Sequence, residues 1–207
     1  MIVKDKIMYH YHKLNHHDSI WTPGNELTVD QNFNSHIGNV LTDFNTSVVM
    51  SDNSLQTFDR VLGYYLKDNN IEDVDKALLK QILSESKRII GAINVYNREH
   101  ALEEVRKKFF PSLPSRLHSI WVCEKSQLDF WENNLKGKLV LYKVKLNGTL
   151  FHSSDLFLPD ETLTISEMME DAKRYWTPNF KTKAEKLSSE FLFQGEVKVL
   201  EKVKETR

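Results

Sequence analysis

The sequence predicts an α+β fold, and three observations carry it. An alternating stretch near the start reads as a strand, helix-period apolar stripes fill the middle, and the second half is rich in strands with two helices set among them. The first strand has no neighbour of its own kind nearby, so it must join the later strands to find a partner.

Taken in order, residues 7–14, IMYHYHKL, place Met8, His10 and His12 on one side of a strand and Ile7, Tyr9 and Tyr11 on the other. Pro23-Gly24 ends that unit. Residues 30–54 are rich in Asn, Asp, Ser and Thr and suit a surface excursion. Leu55, Phe58, Leu62 and Tyr65 then recur at helical spacing, and Val74, Leu78, Ile82, Ile89 and Ile93 continue the stripe. Leu102, Val105 and Phe109 repeat it until Pro111 and Pro114 stop the helix, so residues 55–110 are read as two to four helices.

In the strand SIWV, Ile120 and Val122 face one way and Ser119 and Trp121 the other. Ser126 followed by Asp129 is an approximate capping box for a short helix that buries Leu128, Trp131 and Leu135 and ends at Gly137. KLVLYKVKL is a strand, Asn147-Gly148 a hairpin turn, and TLFH the return strand. Thr164 with Glu167 caps the helix TISEMMEDAKRYW, which closes before Pro178. SSEFLFQGEVKVLEKV is two strands or one bent strand with Gly195 at the break.

Composition narrows the function classes. At 207 residues the chain suits one domain, and Lys+Arg 28 against Asp+Glu 29 leaves no global basic field to attract nucleic acid. The single cysteine, Cys123, excludes an intramolecular disulfide framework and a multi-cysteine zinc site. No secretory apolar region and no stretch of the ~20 apolar residues a membrane span needs is present, which predicts a cytoplasmic protein without a membrane partner. His10, His12, His16 and His17 cluster, but without a Cys or an H-E-x-x-H partner they predict no metal.

Three residues have both a structural and a chemical reading. Arg116 is a surface arginine or an anion ligand whose planar fork pairs two oxygens. Trp121 is second-layer packing or a stacking platform for a ligand ring. Glu190 is an exposed strand edge or a cleft carboxylate that stabilises developing positive charge.

In this order the pieces resemble the ADP-ribosyltransferase superfamily, especially its small bacterial members, the rifamycin-modifying enzymes and DNA-targeting toxins. The resemblance covers residues 8–27 and 110–203. YHYHKLNHHDSIWTPG resembles the first motif and points to Tyr11 and His12, with His10 as the competing choice and Lys13 where many relatives have Gly. HSIWVCEKSQLDFW resembles the second motif, LVLYKVKLNGTLF the next strand pair, and SSEFLFQGEVKVLEKV the last motif, whose glutamate is Glu190. Ser188, two residues earlier, disfavours an arginine-directed transferase.

The resemblance implies a single domain over residues 1–207, with a split β-sheet core and a mainly helical insertion at about 55–110. It implies a mono-ADP-ribosyltransferase that consumes NAD as a substrate and needs no metal. Glu190, His12 and Trp121 would carry the chemistry, and Tyr11, His12, Lys13, Ser119, Trp121 and Arg116 would hold the dinucleotide. The implied partners are a macromolecular acceptor, nucleic acid or protein, and an antitoxin protein, as in an intracellular toxin or defence effector. The alternative is a non-catalytic module that binds a nucleotide or a partner with the same fold. In either case the helical segment, with Lys76, Lys80, Lys87, Arg88, Arg98, Arg106, Lys107 and Lys108, is expected to serve acceptor or partner recognition.

Overall fold

A computed structural model describes residues 1–13, 18–33, 47–49, 53–67 and 76–205. His16, His17, Val74 and most of the polar segment 30–54 lie outside the described residues. The described elements follow the order β1 (Ile2–Lys13), β2 (Glu26–Val29), β3 (Ser47–Val49), β4 (Leu55–Thr57), α1 (Phe58–Lys67), α2 (Lys76–Phe109), β5 (Ile120–Val122), α3 (Leu128–Asn134), β6 (Leu139–Ser154), α4 (Ile165–Trp176), α5 (Lys183–Leu187) and β7 (Ser189–Glu205). The chain divides into two compact units, Met1–Asn39 with Asn97–Arg207, and Val40–Tyr96.

The larger unit is mixed α and β around an antiparallel sheet in the order β1-β6-β7-β2, with β5 paired to β7 beside β2. The first strand does join the later ones, Tyr9 lying opposite Lys143 and Tyr11 opposite Leu141. Mutual backbone bonds between Tyr9 and Cys123, 3.0 and 2.8 Å, tie β5 back to β1. Alternation along these strands sorts the side chains into two faces. Met8, Ile120, Val122, Val140, Tyr142, Phe191 and Phe193 pack on one face together with Trp21. On the other, Leu192 and Phe151 pack with Leu102 and Val105 of α2 and Ala172, Tyr175 and Trp176 of α4.

The hairpin expected at Asn147-Gly148 does not form. β6 runs unbroken through it, and Gly148 pairs with Gly195 of β7. A Cβ on Gly148 would lie 2.3 Å from the Gln194 carbonyl oxygen, and one on Gly195 would lie 2.4 Å from that of Asn147. These glycines serve close contact between two long strands, so a dipeptide that favours a tight turn in isolation is held extended by its neighbour. The last segment is accordingly one strand with Gly195 inside it, at a φ of +140°.

Local signals fared unevenly elsewhere. Thr164 and Glu167 form the reciprocal capping box at the start of α4. The box before α3 is Glu124 with Gln127, not Ser126 with Asp129, and it caps a short 3-10 turn that leads into the helix. The stripe expected to be buried there is not: Leu128 and Trp131 are half-buried and Leu135 is 39% exposed. In the smaller unit, Leu55 belongs to β4, which pairs with β3, and α1 begins only at Phe58. The described part of residues 55–110 holds two helices.

Candidate functional site

Residues 114–116, Pro-Ser-Arg, open a 3-10 turn in which the Ser115 hydroxyl accepts from Leu117 N–H and donates to Glu103 Oε2 at 3.0 Å. That turn aims Arg116 inward, and its side chain is only 5% exposed. Arg116 Nε donates to Glu99 Oε2 at 2.8 Å, Nη2 to Glu99 Oε1 at 3.3 Å, and Nη1 to both Tyr175 Oη, at 2.6 Å, and Glu190 Oε1. Tyr175 in turn donates its hydroxyl to Glu190 Oε1. The surface-arginine reading is therefore wrong, and the fork expected to take an external anion is engaged by two of the protein's own carboxylates.

Burial alone would lower the Arg116 pKa, but the carboxylates of Glu190 and Glu99 outweigh it and hold the guanidinium well above its ordinary value. Burial raises the Tyr175 phenol well above its usual range, against the opposing pull of Arg116, so the ring keeps the proton that it donates to Glu190. Both bonds to Glu190 fall on Oε1. Among the described residues none reaches Oε2. The carboxylate is thus buried and is not an exposed strand edge.

Trp121 lies on the same side of the sheet, with the Arg116 guanidinium carbon 5.4 Å from its ring. Ser119, two residues before it and fully buried, carries a hydroxyl oxygen without a hydrogen-bond partner. A buried hydroxyl left unpaired costs free energy and calls for an explanation, of which an absent polar ligand is one. By the alternation of β1, Tyr11 shares the face of Tyr9 and Cys123, and its hydroxyl donates to the Leu128 carbonyl at 3.1 Å. Burial pushes the Tyr11 phenol above its usual range, with the Glu132 carboxylate adding to the effect. Lys13 ends β1 exposed, opposite Leu139.

His12 does not join this group. It shares its side of β1 with His10 and Met8, and its ring lies 5.3 Å from Trp21 and 6.5 Å from Tyr142, on the face opposite Glu190. The period-2 alternation that put His12 and Met8 together in the sequence already excluded Tyr11 and His12 from one face. His10 stacks on Trp21 at 4.2 Å, and its Nδ1 lies 2.8 Å from the Trp121 carbonyl oxygen. Burial lowers the His10 pKa to about 4, against the Trp121 carbonyl, which raises it, and with His12 adding to the fall. The ring is neutral near pH 7, and Nδ1 therefore carries the hydrogen donated to that carbonyl.

Glu99 and Tyr175 were missed in the sequence. Glu99 is a carboxylate three residues before the buried Leu102 on one helix face, and a charged residue within a buried stripe is the signal that identifies it. Tyr175 continues the buried stripe of Met168 and Ala172 and reads as core until its hydroxyl is traced. The basic row is also changed. Arg98 pairs with Glu161 at 2.6 Å, and Arg106 bonds Glu103 and the carbonyls of Pro111 and Leu113, so both are structural.

Burial pushes the Cys123 thiol up to about 12, so it is not a nucleophile at neutral pH. Among the described residues, no group of three or more His, Cys, Asp or Glu could hold a metal, and no helix is long and apolar enough to cross a membrane.

A comparison with curated proteins finds no match to this sequence. A family model described as "Protein of unknown function (DUF2441)" matches residues 8–205, almost the whole chain, with β5, β6, β7 and every residue of the Glu190 network inside it. The chain belongs to the DUF2441 family.

Proposed function

We propose that the chain is an NAD-dependent mono-ADP-ribosyltransferase with Glu190 as its carboxylate. The observation that carries this reading is the one-sided grip on Glu190: among the described residues Arg116 and Tyr175 both bond Oε1 and none bonds Oε2, the oxygen this reading gives to a ligand hydroxyl. In such a reaction the bond between the nicotinamide nitrogen and the ribose carbon breaks, and its electron pair leaves with nicotinamide. An acceptor lone pair forms the new bond to that carbon, and the acceptor loses a proton. Positive charge develops on the ribose meanwhile, and a fixed carboxylate bonded to the neighbouring hydroxyl stabilises it most in the transition state. Arg116 and Tyr175 orient that carboxylate, the Ser119 hydroxyl offers an unfilled bond, and Trp121 supplies a ring face. His12 has no part at this carboxylate, because it sits on the opposite face of the sheet.

Purified protein incubated with NAD labelled in the adenylate part, alone and with cell lysate, tests the reading. Nicotinamide release should appear, with label transferred to protein, nucleic acid or a small-molecule fraction. Glu190→Gln should fold and bind NAD yet lose at least ~10²-fold in turnover, since a neutral amide cannot supply the same field. Full turnover in that variant refutes the assignment.

The direct contact between Arg116 and Glu190 favours a second reading, a binding module without chemistry, because the guanidinium offsets the charge that the reaction would use. Calorimetry that shows NAD binding without nicotinamide release, with or without lysate, selects this reading over the first.

A further inference from the structure

The smaller unit contains a surface that the proposed reaction does not use. Along α2, Leu79, Leu83, Ser86, Ile90 and Ile93 follow one another at spacings of four, three, four and three residues, the heptad pattern of a helix seam made to receive another helix. The apolar members are uncovered: Leu79 is 44% exposed, Leu83 61%, Ile90 58% and Ile93 40%. Core packing in this helix is met by a neighbouring stripe, represented by Ile89 at 7% exposure. Ser86, the polar member, already donates its hydroxyl to the Ile82 carbonyl at 2.9 Å and brings no unpaired donor to an interface.

Charge decides what fits the seam. On its solvent side Lys76, Lys80 and Lys87 are exposed and follow the seam along the helix. Among the described residues no carboxylate pairs with Lys80 or Lys87, whereas Glu85, the acidic residue of this stretch, is bonded to Arg88. In an antiparallel pairing of two copies the lysine row of one helix would face that of the other, and in a parallel pairing it would face Ile82 and Ile89, the latter already buried. An acidic helix would meet the lysine row with opposite charge. The seam from residue 79 to 93 is about 21 Å long at 1.5 Å per residue, too short for a self-sustaining coiled coil and suited to docking one short helix.

We infer that this face of α2 binds an amphipathic helix of another protein, whose apolar stripe is flanked by Glu or Asp. The inference is independent of the NAD chemistry. It is tested by fluorescence anisotropy with two labelled helical peptides that carry the same Leu/Ile stripe, one flanked by Glu and the other by Lys. The full chain should bind the Glu-flanked peptide at least tenfold more tightly than the Lys-flanked one, and the difference should shrink as salt rises. Lys80→Glu with Lys87→Glu, both on the exposed surface, should reverse that preference. Leu83→Asp with Ile90→Asp should abolish binding of either peptide while far-UV circular dichroism and the melting temperature stay near wild type. Equal affinity for both peptides, binding of neither, or a concentration-dependent dimer that Leu83→Asp dissolves would each overturn the inference, the last by making a second copy the occupant.

Discussion

Gly148 and Gly195 face each other across β6 and β7 so closely that a Cβ on either would lie within 2.8 Å of the other's Cα. The main chains already occupy the space, and no side-chain rotation can relieve the clash. Gly195 adds a φ of +140°, which L side chains rarely adopt. Gly148→Ala and Gly195→Ala should each cost about 2–4 kcal/mol in urea unfolding. Gly91→Ala, at an open helical position, should be neutral or slightly stabilising. A neutral Gly148→Ala would show that the two strands do not approach in this way.

Arg116 should be the most costly polar residue of the larger unit to remove. Arg116→Met leaves Glu190 buried without its cation and Glu99 with only the 3.5 Å pair to Arg98 Nε, and should lose about 3–5 kcal/mol. Arg116→Lys keeps the charge but not the fork, and should recover only part of that loss. Chemical denaturation of the three proteins gives the ordering, and a lysine variant as stable as wild type would deny the fork its role.

Ser119 separates stability from function. Ser119→Ala removes a buried oxygen that bonds nothing, so stability should stay level or rise by up to about 1 kcal/mol. If the hydroxyl awaits a ligand, NAD affinity measured by calorimetry should fall about tenfold in the same variant. A stability loss of several kcal/mol with unchanged affinity would mark the hydroxyl as structural.

His10 predicts a pH dependence whose sign is fixed by burial. Its folded pKa of about 4 lies below its ordinary value of 6.5, so between these values the unfolded chain binds more protons. Its contribution is fully present above about pH 6.5 and is lost as pH falls toward 4, by up to ~3 kcal/mol. His10→Asn, which keeps a donor near the Trp121 carbonyl, should show a shallower decline in urea stability over that window. Equal slopes in both proteins would mean that His10 titrates normally.

Much of the fold was legible because its signals are local. The strand IMYHYHKL and the Thr164–Glu167 cap depend on neighbours a few residues away, and both occur where the pattern puts them. The Asn147-Gly148 turn failed for the complementary reason. Its dipeptide preference is worth little against a full ladder of hydrogen bonds from β7, a strand that lies far along the chain.

The residue types of the candidate site were visible one at a time, and their arrangement was not. Arg116, Trp121, Ser119 and Glu190 stood out by chemistry and position, but the burial that makes Arg116 an internal cation comes from Glu99 on α2 and Tyr175 on α4. His12 was legible as a histidine on the Met8 side of β1, yet which side faces Glu190 depends on how β1, β5 and β7 join. By itself the sequence determined the mixed α and β class, the cap of α4 and the sidedness of β1 and β5, because periodicity and capping act within a few residues. Only the tertiary structure decided which sides meet, since partnership between carboxylates, a guanidinium and a phenol is set by long-range packing that no local pattern encodes.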